Sequence, residues 1–377
     1  MPNPTQFDHY LKDDGPAALV LRENLMPAEG TDGVLFPATF AAGNGFPGGY
    51  NIDRFGNEKD NVCLIDSVGS QANRIEPLFT REKYRHLVPQ VVVKAGEKEV
   101  NLLEAGHRAG DALLRCSSLQ DDLQKAFRSE LAGDCEPLAK IAPTSLVFGV
   151  WDSRDTQSKR PRLVASAIWA FNVRELTRGA VYTPPLDYTE LDVFSEEDKA
   201  KAEGNNKSPL AQRGFVHNPA SGSYGGVIAD GGIRRDATLG LAALRHIQVG
   251  KDADRTLVLR RYILGLSLVA FTAPAESYLR QGCTLVLNPK PGNVQQPREF
   301  AEVYPDGRRP PCNITHEAAL QYATEAAEAF GVGMSRTVPF EKERAKRDVK
   351  AEEAGKGKAR RAAKKDETSS EKPGDNG

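Results

Sequence analysis

Eighteen residues, Val62 to Phe79 (VCLIDSVGSQANRIEPLF), constrain this chain more than any other stretch. Read as one helix, they set Ile65, Val68, Ala72, Ile75 and Phe79 on an apolar stripe. Ser67, Ser70 and Arg74 fall on a neighbouring stripe, with Gln71 between the two. That second stripe carries donors and a fixed positive charge and no carboxylate. Such a face suits an anionic partner such as a phosphate chain. From the helix alone, a solvated surface face is the commoner explanation.

The string IDSVGSQANRIEPLF does not stand alone. DGVLFPATFAAG precedes it, and GHRAGDALLRCS and PTSLVFGVWDSR follow it. In type and order these segments resemble the RAMP backbone subunit of the type I-G (formerly I-U) CRISPR effector complex, from about Gly33 to about Val332. The resemblance implies an α+β fold with an RRM-like (ferredoxin-like) core carrying large insertions, a thumb hairpin and a projecting lobe. It implies a protein that polymerises along a guide RNA (crRNA), grips it by phosphates and sugars, and leaves its bases to pair with a target DNA strand. The implied partners are further copies of the same chain, a large subunit, a guide-end-capping or processing subunit and a recruited helicase-nuclease.

Composition is compatible with this and does not demand it. The 377 residues allow two or three average domains or one with insertions. A net charge of −1 requires any nucleic-acid surface to arise by charge segregation. Cys63, Cys116, Cys135, Cys283 and Cys312 are scattered, odd in number and without a C-x-x-C. That argues for a reducing cytoplasm and against a disulfide framework or a zinc site. The first residues, MPNPTQFDHYLKDD, lack the basic and apolar regions of a signal peptide. The most apolar run, Tyr262 to Ala273, is too short to span a membrane. No cofactor is expected.

Along the chain, residues 8–27 read as one amphipathic helix ending near Met26-Pro27. GVLFPATF (33–40) reads as a strand, and residues 43–56 as a glycine-rich loop holding Arg54. Val91–Val93 and Val100–Leu103 read as a hairpin, and Glu104–Cys116 as a helix with an Asp111–Arg115 pair and His107 also four residues from Asp111. Pro143–Trp151 reads as a buried strand partnered by Leu163–Val173, with Arg154, Lys159, Arg160 and Arg162 on the basic loop between them. Residues 183–208 form an excursion of loop and short helix. Gly231, Gly232, Arg234 and Arg235 precede a helix expected from Asp236, an arrangement suited to an anion. Residues 255–273 suggest a helix leading into a strand, Cys283–Asn288 a strand, and Asn313–Gly331 a helix capped by Thr315 and ended by Gly331. The domain spans 1–340 with insertions at about 43–61 and 174–232. A disordered or transiently helical charged tail covers 341–377, where 12 Lys+Arg face 9 Asp+Glu, +3, leaving −4 for the body.

The RNA-contact candidates form three groups with Arg54 beside them. Ser67, Ser70, Gln71 and Arg74 rest on the motif, whereas the 154–162 and 231–235 groups rest on charge and glycine placement. The opposing reading is an enzyme that cuts target RNA, as backbone subunits of type III complexes do, with Asp53, Asp66 and Asp152 as the available acids. No carboxylate cluster suited to paired metals stands in the sequence, so no catalytic or metal residue is expected. A third reading is an interaction scaffold that carries no RNA.

Overall fold

The computed structural model describes residues 5–56, 60–290, 292 and 296–350. After a single 3-10 turn at Asp8–Leu11, Gly15-Pro16 breaks the chain and β1 runs over Ala18–Pro27. The helix expected over 8–27 is therefore a strand over its second half. Its burial alternates residue by residue, with Leu19, Leu21, Glu23 and Leu25 turned inward. The inward Glu23 breaks the apolar period and conceals the strand. Of the strand expected over 33–40, Leu35 makes one bridge to Val227 and Thr39–Phe40 pairs with Gly49–Tyr50. The 43–56 loop is thus partly strand, continued by β2 (Ile52–Arg54).

β3 spans Asn61–Asp66 and α1 spans Val68–Ile75, followed by a 3-10 segment at Glu76–Thr80. The stretch expected to be one helix divides at Ser67, whose side chain accepts from the Ser70 N–H as the N-cap. Val91–Ala95 and Lys98–Asn101 form the expected hairpin. Residues 104–116 are turns plus a four-residue helix, Ala112–Arg115, started by the Asp111 side chain. Gly106 and Gly110 interrupt the run, and Arg108 sits at φ 55°. Arg115 pairs with Asp348, not with Asp111.

α2 covers Gln120–Leu131. The buried strand expected at 143–151 is the short helix Thr144–Phe148, begun at Pro143 and ended by Gly149 at φ 79°. A five-residue run buried on all sides carries no period that separates helix from strand. β4 (Val164–Phe171) is a strand as expected, yet its partners are β3 and β7 (Ile233–Gly240). Between them β5 (Val173–Tyr182) and β6 (Asn218–Ala229) form a long hairpin. The excursion between these strands carries two short helices around Ala202, Ala211 and Val216.

β7 takes the first part of the helix expected from Asp236, and a four-residue helix, Leu241–Leu244, follows it. α3 then runs unbroken over Ala253–Thr272 and absorbs the expected helix–strand division, because its second half is apolar and buried all round. β8 (Tyr278–Arg280), β9 (Cys283–Leu287) and β10 (Arg298–Val303) follow. α4 (His316–Phe330) starts at Thr315 and ends at Gly331 in the left-handed conformation, as the sequence predicts. The tail enters as a helix over 342–350, held by Arg115–Asp348 at 2.9 Å and Arg344–Asp121 at 3.2 Å. The rest of that tail lies outside the described residues.

The main sheet has the order β8-β9-β1-β7-β4-β3-β2, with β10 also on β1 and every pairing antiparallel. Within it β10 or β9, then β1, β7 and β4 reproduce the four-one-three-two order of a ferredoxin-like sheet, and α3 follows the third strand as that order requires. The α+β, RRM-like core is therefore present with insertions. One face of the sheet is buried under α1, α3, α4 and the turns of 102–148, and under the 35–50 segment at its other end.

α3 and α4 approach so closely that a Cβ on Gly265 would stand 2.8 Å from the Ala323 Cα. Gly265→Ala gains up to about 1 kcal/mol of helix propensity. It overpacks a backbone atom that has no rotamer to give, at about 1–3 kcal/mol. The expected result is a lower melting temperature; an unchanged or higher one contradicts this packing.

Candidate nucleic-acid interface

The polar face of α1 is organised by a carboxylate. Asp66, at the end of β3 and only 2% exposed, accepts from Ser70 Oγ at 2.8 Å, Gln71 Nε2 at 2.7 Å and Arg74 Nε at 3.2 Å. It also accepts from Arg280 Nη2 at 3.0 Å. The expected stripe without a carboxylate is thus corrected: Asp66 lies one residue before the cap, where the helix turns its donors back onto it. Arg280 reaches the Ile65 carbonyl at 3.0 Å and Arg74 the Leu279 carbonyl at 2.7 Å. These bonds tie β8, at one end of the sheet order, to β3 near the other, so the sheet is curled and closed by side chains. Two guanidiniums on one carboxylate leave an excess of positive charge at the seam.

Beside the seam lies a cleft of about 280 Å³ lined by Gln71, Arg74, Arg81, Ser166, Arg235 and Phe271 among others. Gln71 is fixed at both ends, donating to Asp66 and accepting from Ser166 Oγ at 3.0 Å. Arg235 is 5% exposed, and its Nε stands 2.8 Å from Glu23 without the alignment of a hydrogen bond. Burial lowers the Arg235 pKa from its ordinary value, and Glu23 opposes that shift. Glu23 also holds Arg298 through Nε at 2.7 Å. In and just behind the cleft, Arg74, Arg81, Arg235, Arg280 and Arg298 therefore face Glu23, Asp66 and Glu276. The excess is positive, although the whole chain is near neutral.

The remaining candidates divide. Gly231 and Gly232 form the turn between β6 and β7, and their N–H groups are spent on the Phe171 and Ala229 carbonyls at 2.9 and 3.0 Å. The expected helix N-terminal anion site does not exist, since a strand follows. In that strand Arg234 and Arg235 alternate to opposite faces. Arg234 pairs with Asp236 at 2.9 Å and stacks over Phe171 at 4.8 Å, lining a second groove of about 510 Å³ with Arg174 and Lys290. On the 152–162 loop, Arg160 is turned inward onto Glu130 and Cys135, Lys159 lies over Trp151 at 5.0 Å, and Arg154 and Arg162 are exposed. Arg54 pairs with Glu175. The structure brings Gln71, Arg74 and Arg235 into one cleft and leaves the other groups apart. Arg81, Ser166, Arg280 and Glu23 carry no sequence signal for the cleft, and Asp66 figures in the sequence only as an available acid. Its place within the motif, one residue before the Ser67 cap, is the signal that ties it to the helix.

Of the three acids considered for cleavage, Asp66 is engaged as above. Asp152 is 4% exposed and accepts from Thr156, and Asp53 is exposed on β2. His107 lies 3.6 Å from Asp111 in solvent. Among the described residues no three of His, Cys, Asp and Glu gather as metal ligands, and no helix is long and apolar enough to cross a membrane.

Residues 19–175 match the family model described as CRISPR-associated protein GSU0053. Over that stretch, less than half of the chain, the sequence is similar to this CRISPR-associated family. No curated protein matches it. The matched segment contains Asp66, the whole of α1 and Ser166, whereas Arg235, Arg280 and Arg298 come from beyond it. It also contains the second buried junction of the molecule. Arg108 lies 2.6 Å from Glu76, reaches Asn73 at 3.4 Å and the Gly149 carbonyl at 3.3 Å, and stacks on Phe148 at 5.4 Å. Three of the quoted segments thus meet at one guanidinium. Burial outweighs the pull of Arg108 and pushes the Glu76 carboxyl up to about 7.

Proposed function

We propose that this chain is a CRISPR-associated protein, the guide-RNA-binding backbone subunit of a type I, Cascade-like complex, of the I-G subtype its sequence resembles. The observation that supports this most is the positive cleft around α1, built from the signature stretch, in a chain whose net charge is −1. Fixed guanidiniums and small polar side chains grip phosphates and sugars without reading sequence. Sequence reading then falls to base pairing with target DNA. On this reading copies of the chain line up along the crRNA in the cytoplasm, beside a large subunit, a guide-end-capping subunit and a recruited helicase-nuclease, and the chain itself performs no cleavage.

Arg74 and the exposed Arg81 are the test residues. With the assembled complex, Arg74→Ala and Arg81→Ala are each expected to weaken retention of guide RNA and flatten the salt dependence by roughly one unit of slope. Arg74→Ala also lowers the melting temperature, because it releases Asp66 and Leu279. An unchanged slope in both variants contradicts the cleft as a phosphate contact.

A further inference from the structure

We propose that the hairpin tip carrying Trp151 is a second nucleic-acid contact, a sequence-tolerant stacking site for a single-stranded polynucleotide, with a base on the indole and phosphates at Arg154, Lys159 and Arg162. It goes beyond the cleft beside α1, whose lining includes none of these residues. It rests on the backbone reading only for the source of the strand.

A two-residue pairing builds the tip. Val150–Trp151 pairs with Lys159–Arg160 in antiparallel register, Val150 opposite Arg160 and Trp151 opposite Lys159. Alternation then sends one pair inward and the other outward. Val150 is buried, and Arg160 turns onto Glu130 and Cys135. Ser158 donates to Glu130 as well. The buried Asp152 accepts from the Thr156 N–H at 2.8 Å and from Thr156 Oγ1 at 2.6 Å. The inner half thus anchors the tip and holds the outer pair in solvent.

That outer pair is an indole and an ammonium. Trp151 is 55% exposed, and Lys159 Nζ stands 5.0 Å from its ring centroid. Arg154 lies exposed in the turn. Arg162 crosses Gly149 at the base of the hairpin, where a Cβ on the glycine would stand 3.0 Å from Arg162 Cγ. A lone exposed aromatic is ordinary. This one stands among three exposed cations, Arg154, Lys159 and Arg162, against one exposed carboxylate, Asp155, which accepts from Gln120 Nε2 at 2.9 Å. An open aromatic ring set among cations suits a single strand: the ring takes the face that every base has, and the cations track the phosphates. The excess of positive charge selects a polyanion as the occupant. The contact reads no base edge, so it agrees with a grip that leaves sequence to base pairing. A stretch of guide RNA and a DNA strand present the same chemistry.

The test is intrinsic fluorescence of the full chain, titrated with oligouridylate and oligoadenylate of about 12 nucleotides, a length within the span that single-strand sites cover. Trp151 is one of two tryptophans in the chain. Both strands are expected to quench it and to bind with similar affinity. Trp151→Ala is expected to weaken binding about tenfold with an unchanged melting temperature, in line with one stacked base. Trp151→Phe keeps most of the affinity and loses the quenching. Lys159→Ala and Arg162→Ala each flatten the salt dependence by roughly one unit of slope. No quenching by either strand, or unchanged affinity in Trp151→Ala, overturns the proposal. In the assembled particle, loss of guide RNA from Trp151→Ala assigns the site to the guide, and intact guide with weaker target binding assigns it to a DNA strand. Loss of a neighbouring subunit with both nucleic acids retained makes the tip a protein contact and overturns the proposal. The two readings fail separately: Arg74→Ala tests the cleft and leaves the Trp151 quenching in place. A particle that retains guide RNA while Trp151 shows no quenching sinks this inference and leaves the backbone reading standing.

Discussion

Replacing Arg108 with alanine is expected to cost the fold about 3–5 kcal/mol, because it leaves an uncompensated carboxyl in a site closed to water. Both side chains of the pair are enclosed, Arg108 at 4% and Glu76 at 1% exposure. The loss depends on pH, with a definite sign. Burial already raises Glu76, and removing Arg108 removes the main influence that lowers it. Below about pH 6 the stranded carboxyl takes up a proton and is tolerated as a neutral group. At pH 8 the variant must hold a buried charge or bind a proton against the solution, so the loss relative to wild type is larger there. Urea unfolding at pH 5.5 and 8 measures both values. The double variant Glu76→Leu/Arg108→Met is expected to recover most of the loss, since two apolar chains of similar volume need no partner. Equal losses at the two pH values, or additive single and double variants, contradict the pair as drawn. Arg108→Gly relieves the backbone at φ 55° and should sit above the alanine variant by up to about 1 kcal/mol.

Asp66→Ala is the second large effect. It releases Ser70, Gln71, Arg74 and Arg280 at once and unties β8 from β3. Its two guanidiniums are 28% and 24% exposed, so water takes over part of their solvation. That places the loss near 3 kcal/mol, the low end for breaking a buried pair. Asp66→Asn keeps the shape and one acceptor and is expected to lose less. The seam also positions Arg74, so on the proposed function Asp66→Ala lowers guide retention more than Arg81→Ala does, although Asp66 itself repels phosphate. A variant that keeps its stability and retains RNA better than wild type would show Asp66 to be a mere counter-charge.

What the sequence disclosed and concealed follows from these junctions. The hairpin at 91–101, the strand at 164–171 and the helix at 316–330 were legible because period, caps and turn residues agree locally. β1 is hidden in the sequence because Glu23, a charge, occupies an inward position that Arg235 and Arg298, more than 200 residues away, make tolerable. Thr144–Phe148 and α3 were misread in the opposite sense: burial on every side erases the period that separates helix from strand. At the site, Ser70, Gln71 and Arg74 of α1 converge on Asp66, and Gln71, Arg74 and Arg235 share one cleft. Asp66 was read as a spare acid when it is the acceptor that arranges them. Donors invite a phosphate reading, and the acid that binds them sits on the preceding strand, out of the helical register. Arg81 and Arg280 carry no motif and are visible only once the sheet curls.

The measurement that tests the central claim most directly is co-expression of the chain with a CRISPR array and the neighbouring subunits, followed by sequencing of the nucleic acid that co-purifies. The expected result is a discrete guide-length RNA in a large particle holding several copies of the chain, with the RNA reduced by Arg74→Ala. A nucleic-acid-free monomer under the same conditions would contradict it.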